Sequence, residues 1–456
     1  MSSVATLRQR RQRLARHCDR PILLWSGARS PRNFPHNPYP FRASSHFLYF
    51  AGLSLERAAI RLEHGRAQLF CDAPSPDAAL WHGETPSREE LAEIAAVDAV
   101  YPWAELSDRL QDVATIAVQD AATCRHQSEL LQRPISPHGL PMGIDLEAAQ
   151  AVVMTRLTHD AAAVEEIRAA ARTTIAAHLA GMAATTTATR EYEVRAAMEY
   201  AIAQQHVTCA YPSIVTTHGE VLHSDRDDGV LQSDDLLLAD VGAETRLGWA
   251  ADVTRTWPVS GTFSATQRAV YDIVLAAHDK AIAAIAPGVE YRDIHLLAAR
   301  VLAEGCVDLG ILRGRPDELV ERDAHALFFP HGIGHLLGLD VHDMEDLGDM
   351  AGYAPGRQRS DRFGLSYLRL HRPLQAGMVV TIEPGFYQVP ALLRDPERQA
   401  RYADVVNWDV LATFNDVRGI RIEDDVLVTP EGSEVLTVAL PTEPAAIEAE
   451  VRRLNN

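Results

Sequence analysis

Cysteine is scarce in this chain and badly placed for structural duty. Cys18, Cys71, Cys124, Cys209 and Cys306 are odd in number and scattered, with no CxxC pair to begin a zinc site or redox motif. Reduced, mostly buried thiols are expected. Long apolar runs are missing too: nothing approaches the roughly 18 residues a membrane-spanning helix needs. The opening segment, Met1 to Arg20, lacks the hydrophobic centre of a secretory signal. No membrane partner and a cytoplasmic location are therefore expected. The start carries Arg8, Arg10, Arg11, Arg13, Arg16 and Arg20 with little acid, which also suits a mitochondrial presequence. The preferred reading is a surface helix with Leu7 and Leu14 a heptad apart on one face. Positive charge is in deficit, with Lys+Arg 43 against Asp+Glu 62 and a net charge of -19. Such a surface repels a phosphate backbone, so nucleic acid is not expected as a partner.

What is present is length and apolar mass. At 456 residues and 47% hydrophobic content the chain exceeds one ordinary core, and two domains are expected. Apolar stretches at Pro21 to Trp25, Phe47 to Ala51 and Ala67 to Cys71 alternate with helical ones such as Arg88 to Ala96, which predicts an α/β domain. The Pro- and Gly-rich segment Arg133 to Gly143 marks its end, and the boundary is placed so that residues 1–155 and 156–456 form the two domains. Beyond it, Asp160 to Ala183 and Tyr192 to Gln205 are predicted as long helices. Short strand-like runs then take over at Leu236 to Val241, Trp249 to Val253, Met378 to Ile382 and Val417 to Val428. The fold class is α/β, in the α+β sense.

Five segments carry polar groups that a half-buried strand does not need. They are LLLADVGAE with Asp240, AADVTRTWP with Asp252, PHGIGHLLGLDVHD with His331, His335 and His342, VVTIEPGFY with Glu383, and GIRIEDDVLVT with Glu423. Carboxylates flanked by Val, Ile and Leu are costly to bury ionised unless paired or bound to a cation. Four carboxylates and one imidazole compensate two divalent ions, and oxygen-rich ligation favours Mn²⁺, with Co²⁺ or Zn²⁺ as substitutes. Taken singly, each Asp reads as a cap or turn residue and each His as a loop residue. The pair His331 and His335 has helical spacing, yet Gly332, Gly334 and Gly338 each cost a helix about 1 kcal/mol, and there is no HExxH. GIGHLLG misses the dinucleotide fingerprint by one residue, and no GxSxG elbow is found.

Taken in order, these blocks resemble the metal-binding signature of aminopeptidase P and prolidase, the pita-bread metallopeptidases. The likeness extends to YPFRASSHFLYFAGL in the first domain and to DELVERDAHALFFPHGIGHLLGLDVHD at Asp317 to Asp343. It implies an N-terminal α/β domain followed by a pita-bread catalytic domain. It also implies that Asp240 chelates one ion, Asp252 and Glu423 bridge, and His335 and Glu383 complete the other. His223, His331 and His342 would contact substrate, with Arg421 behind the ligands and bordering it. Trp81 in LWHGE resembles a family tryptophan that reaches a neighbouring subunit's site, and a homodimer or homotetramer is the family expectation. One departure concerns Asp240 and Asp252, which are 12 positions apart, one more than the common pattern; the extra residue is expected in the turn Thr245 to Gly248 or in a bulge, since a slip within the strand would turn Asp252 away. A second is the segment Met344 to His371, where Arg369 resembles the prolidase arginine that holds a dipeptide carboxylate.

The implied substrate is a peptide with proline in second position, whose tertiary amide offers no N–H to ordinary proteases. A hydroxide bridging the ions would attack the scissile carbonyl, Glu383 would shuttle the proton to the proline nitrogen, and His342 and His223 would stabilise the oxyanion. Three readings stand: Xaa-Pro aminopeptidase, Xaa-Pro dipeptidase, and a non-catalytic binding protein on the same fold.

Overall fold

The structure is a computed structural model describing residues 3–73, 80, 81 and 83–453. It divides into two compact units. The first runs to Thr158 and also takes in Met344–Ala351; the second comprises His159–Asp343 and the chain from Gly352 onward.

The first unit is built on a five-stranded sheet in the order Ala99–Tyr101, Arg66–Phe70, Ala59–Glu63, Ile22–Trp25, Ala114–Thr115. The two inner pairings are antiparallel and the outer two parallel. Leu23, Trp25, Ala59, Phe70, Leu106 and Val113 form its core. Phe47 to Ala51, grouped with the strand-like stretches on apolar content alone, is instead the helix Ser45–Ala51. Its ends explain the difference: Ser44 accepts the Phe47 N–H, and Gly52 closes it in the left-handed region at φ 69°. The N-terminal helix Val4–Leu14 buries Leu7 and Leu14, but Arg10 and Arg11 are buried with them.

Arg11 shows why a guanidinium is tolerated there. Its Nε and Nη2 donate to the Phe50 carbonyl at 3.1 and 2.6 Å, Nη2 also reaches Ala95 O at 2.5 Å, and Nη1 reaches Ala96 O at 2.6 Å. Those oxygens close the helices Ser45–Ala51 and Arg88–Ile94, so one cation satisfies carbonyls left over at two helix ends.

In the second unit the helices Ala161–Thr185, Glu191–Ala203, Ala265–Ala283 and Tyr291–Asp308 accompany short antiparallel sheets. One orders Thr254–Pro258, Leu236–Asp240 and Ile214–Thr216; another orders Val379–Ile382, Asp424–Thr429 and Gly432–Val435; Gly385–Tyr387 pairs with Gly419–Arg421. The run Val417 to Val428 is thus two strands, broken at Ile422 and Glu423, and regular strand begins at Thr254 rather than spanning Trp249 to Val253.

The hairpin joining Asp240 to Asp252 keeps one register throughout. Asp240 pairs with Thr254, Val241 N–H bonds Val253 O, Ala251 N–H bonds Ala243 O, and Glu244 bridges Ala250. The Gly248 N–H closes a turn on Thr245 O, with Gly248 at φ 87°, so the loop holds the three residues 246–248. An odd loop with an even spacing leaves both aspartates on one face. An odd spacing would need an even loop for the same result, so an added residue in the turn preserves the face while one in a strand reverses it.

Replacing Arg11 with Met should lower the unfolding free energy of the first unit by roughly 3 kcal/mol, because three buried carbonyls lose their donor. Urea titration measures this; a loss under about 1 kcal/mol would show that water satisfies those oxygens.

Candidate metal centre

Strand ends converge on one cavity of about 440 Å³ in the second unit. Asp240, Asp252, His331, His335, His342, Glu383, Arg421 and Glu423 line it, with Leu222, His223, Tyr367 and Arg369 among its remaining walls. Asp240 ends Leu236–Asp240, Glu383 follows Val379–Ile382, and Glu423 occupies the break before Asp424–Thr429. His331 and His335 come from a glycine-rich loop that lies against Val379–Ile382: Thr381 N–H bonds His335 O, and His335 N–H bonds Thr381 Oγ1 at 3.2 Å. A Cβ at Gly334 would stand 2.2 Å from Thr381 O, so the glycine is required by close approach.

The side chains form three overlapping groups: Asp252, His335, His342; His335, Glu383, Glu423; and Asp240, Asp252, Glu423. The ligand atoms within each lie within 4.8 Å of one another. Asp252, Glu423 and His335 each belong to two groups. His342, expected against substrate, is part of the first. His223 lines the rim and is exposed, while Trp81 in the first unit is 75% exposed. His218 opens a turn through the Val221 N–H and bonds Glu220 at its surface.

Three observations test whether this set fits cations. His335 Nδ1 bonds the Leu336 carbonyl at 3.1 Å, which puts the proton there and leaves the Nε2 lone pair 3.4 Å from Asp252 Oδ2 and 3.8 Å from Glu383 Oε1. Lone pairs so opposed repel unless a cation or proton lies between them. The Tyr211 hydroxyl lies 2.7 Å from Asp240 Oδ1 and 2.5 Å from Asp252 Oδ1; its single proton serves one of them, and the other oxygen needs a further positive partner. Finally, burial together with neighbouring carboxylates pushes Glu423 well up and Glu383 up to about 7. Burial raises Asp240 as well, against the pull of Arg421. Arg421 offsets the set from within, donating to Asp240 Oδ2 at 2.6 Å. The donors are oxygen-rich with one or two imidazoles, and they fit divalent ions.

Several residues of the site carry no mark in the sequence. Tyr211 ties the two aspartates, and Gly242 admits its ring: a Cβ there would stand 2.8 Å from Tyr211 and 1.9 Å from Ala251 O. Tyr387 accepts from Arg421 Nη1 at 3.1 Å and lies 2.9 Å from His331 Nε2. His331 Nδ1 is 2.8 Å from the Gly332 carbonyl; burial beside Arg421 pulls this imidazole down to about 3, so it is neutral. Thr254 Oγ1 donates to Glu423 Oε2 at 2.8 Å and accepts from Arg421 Nε at 2.9 Å. Asp425 takes the Asp252 N–H at 3.2 and 3.3 Å. The acidic doublet Asp424 and Asp425 in GIRIEDDVLVT was the one available signal.

The model of metallopeptidase family M24 matches residues 165–430, more than half of the chain and all of the lining residues. The chain belongs to metallopeptidase family M24. Residues 7–120 match the aminopeptidase P N-terminal domain. A probable Xaa-Pro aminopeptidase of Fusarium vanettenii is 33% identical over 429 residues, which cover 91% of this chain and 88% of that one. Pseudomonas aeruginosa aminopeptidase PepP superposes with a TM-score of 0.82 at 28% identity, over 99% of this chain and 98% of that one. The zinc-substituted Escherichia coli aminopeptidase P in complex with product gives 0.78 at 27% identity, over 99% and 98%. The chain therefore has the mixed α/β architecture of this group: an aminopeptidase P N-terminal domain, then the pita-bread M24 domain.

The raised carboxyls fix the sign of a pH effect. Between about pH 4.5, the ordinary glutamate value, and about pH 7, the folded metal-free chain holds protons on Glu383 and Glu423 that the unfolded chain has released. Stability of the chelator-treated protein should fall as pH rises through that window, and divalent cation should restore it at pH 7. Thermal melts with and without cation measure both; a metal-free melting temperature that climbs from pH 5 to pH 7 would refute the assignment.

Proposed function

We propose that this chain is a metal-dependent exopeptidase that hydrolyses the bond between an N-terminal residue and a following proline. The observation that carries the reading is the convergence of Asp240, Asp252, His335, Glu383 and Glu423, with three histidines, on one cavity of an M24 fold. Relatives with names of probable Xaa-Pro aminopeptidase support the substrate class.

In this reading Asp240 would hold one ion, Asp252 and Glu423 would serve both, and His335 and Glu383 would complete the second position, with His342 alongside. Oxygen-rich ligation favours Mn²⁺, with Co²⁺ or Zn²⁺ as substitutes. When bound, two such ions polarise the scissile carbonyl and lower the pKa of water to near neutrality. The chain's own residues do the rest. Glu383 takes the proton from the attacking water and returns it to the proline nitrogen, a leaving group that must be protonated. His342 and His223 donate to the carbonyl oxygen as it gains charge. The carboxylates receive the free substrate amine, which restricts cleavage to the N-terminal residue. Arg421, joined to Asp240, Thr254 and Tyr387, keeps ligands and His331 in one arrangement. A homodimer or homotetramer and a cytoplasmic location belong to the same reading; sedimentation at the mass of one chain would remove the former.

Metal-stripped and Mn²⁺-restored protein should be given Gly-Pro and Arg-Pro-Pro, with release of the first residue followed. Arginine should appear from the tripeptide only in the restored protein; silence on both peptides would sink the enzymatic reading. Glu383→Gln should reduce turnover at least about 100-fold in protein that still binds cation; full activity would remove the proton shuttle.

One observation favours the dipeptidase alternative: Arg369 and Tyr367 stand in the cavity wall with the ligands. If Arg369 receives a terminal carboxylate, Arg369→Met should raise KM for Gly-Pro by about tenfold or more and spare the tripeptide. Equal effects on both peptides would show that it does not read the carboxylate.

A further inference from the structure

The two bridging carboxylates face each other across a seam where the backbone ladder is incomplete. Residues 252–256 run antiparallel to 421–425, but they share a single backbone bond, Glu423 N–H to Thr254 O at 3.0 Å. Side chains take the other backbone groups. Thr256 Oγ1 accepts the Arg421 N–H at 3.2 Å and donates to Arg421 O at 3.1 Å, and Asp425 receives the Asp252 N–H. On the cavity face stand Asp252, Thr254, Arg421 and Glu423.

Arg255 lies on the opposite face, wholly buried. Its Nη1 donates to Thr254 O at 3.0 Å and to Glu423 O at 2.6 Å, one carbonyl from each side of the seam. Its Nη2 pairs with Asp424 Oδ1 at 2.7 Å and reaches Leu440 O, while Nε bonds Pro441 O. Asp424 is in turn held by Thr437 and stands 3.0 Å from His278 Nε2. Thr254 and Glu423 also meet on the cavity face, Oγ1 to Oε2 at 2.8 Å. The strands are therefore tied at this step from both sides. A planar guanidinium spans two carbonyls and a carboxylate at fixed angles; an ammonium cannot.

We propose that Arg255 is a positioning residue for the paired-cation site: by holding the carbonyls of Thr254 and Glu423 together from behind, it sets the spacing between Asp252 and Glu423. This rests on the two-ion reading above. A shift of the seam leaves each carboxylate able to hold an ion yet unable to share one, so the second ion suffers more than the first.

The experiment is a Mn²⁺ titration of wild type, Arg255→Lys and Asp424→Asn, followed by calorimetry and by electron paramagnetic resonance. Wild type should show the spin-coupled signature of a manganese pair at two equivalents; without it the two-ion reading itself fails. Folded R255K should bind the first ion within about threefold of wild type and the second at least tenfold more weakly, with uncoupled signals. D424N keeps the carbonyl bonds of Arg255 and should retain the coupled signature while melting lower. Coupling and affinities of wild type in R255K would overturn the inference. So would equal loss of coupling in D424N, or an R255K chain that cannot fold, because Arg255 would then serve the fold at large and not the spacing.

Discussion

Four acidic side chains share one buried volume in which the Arg421 guanidinium bonds one of them, and most of the second unit can be read as a response to that excess of negative charge. At an effective dielectric of about 20, two carboxylates 4 Å apart repel by about 4 kcal/mol. Protons on Glu423 and Glu383 relieve this in the absence of cations, at the expense of ligand character. Divalent ions would relieve it while leaving all four groups ionised. Fold and cation are thus coupled through the same electrostatic term, and the metal-free and loaded chains differ in how that term is met.

The backbone bears the other half of the constraint. A sheet with a complete ladder would draw the strands carrying Asp252 and Glu423 together along their length, leaving no freedom in the approach of the two carboxylates. Here a threonine hydroxyl and an aspartate carboxylate stand in for ladder partners. The buried N–H and C=O groups stay satisfied while the seam keeps a geometry that the ladder alone would not give. The loop bearing His335 solves a related problem. It must lie flush against Val379–Ile382, and Gly334 removes the side chain that would prevent it.

Sequence exposed those parts of the site that violate the expectations of a strand. Asp240, Asp252, Glu383 and Glu423 stood out because an acid among Val, Ile and Leu demands an explanation, and five ordered blocks made the family resemblance specific. Tyr211, Tyr387 and Thr254 were invisible for the opposite reason: tyrosine and threonine are ordinary in and beside strands. Arg255 and Arg11 were hidden because arginine is a surface residue by default, and its burial becomes evident only when the carbonyls it serves are located. The helix Ser45–Ala51 shows the same limit locally. A short apolar run does not distinguish strand from buried helix, and its Ser and Gly ends were the deciding signal. That residues 344–351 belong to the first compact unit depends on long-range packing, here the Asp346 carboxylate 3.0 Å from His46 Nε2, with Arg156 on the other ring nitrogen at 2.8 Å.

The segment that brings Arg369 to the cavity bears on how long a peptide the site accepts. It is not a loose loop. Arg362 bonds Asp323 at 2.8 Å and the carbonyl of Val320 at 2.6 Å, His295 bonds Gly364 O at 2.9 Å, and Tyr353 Oη bonds Leu368 O at 2.7 Å. A Cβ at Gly364 would stand 2.7 Å from Asp323 Oδ1, which fixes that approach as well. Arg369 is consequently presented from an anchored stretch of backbone in the wall of the cavity that the carboxylates line. Each added residue moves a peptide's terminal carboxylate by up to about 3.5 Å. A backbone anchored in this way limits how far the Arg369 guanidinium can follow that displacement, so under the dipeptidase reading a carboxylate it receives would belong to a short peptide. The anchored backbone that would suit Arg369 to the carboxylate of a dipeptide would serve longer substrates less well, because their terminal carboxylates lie farther from the site.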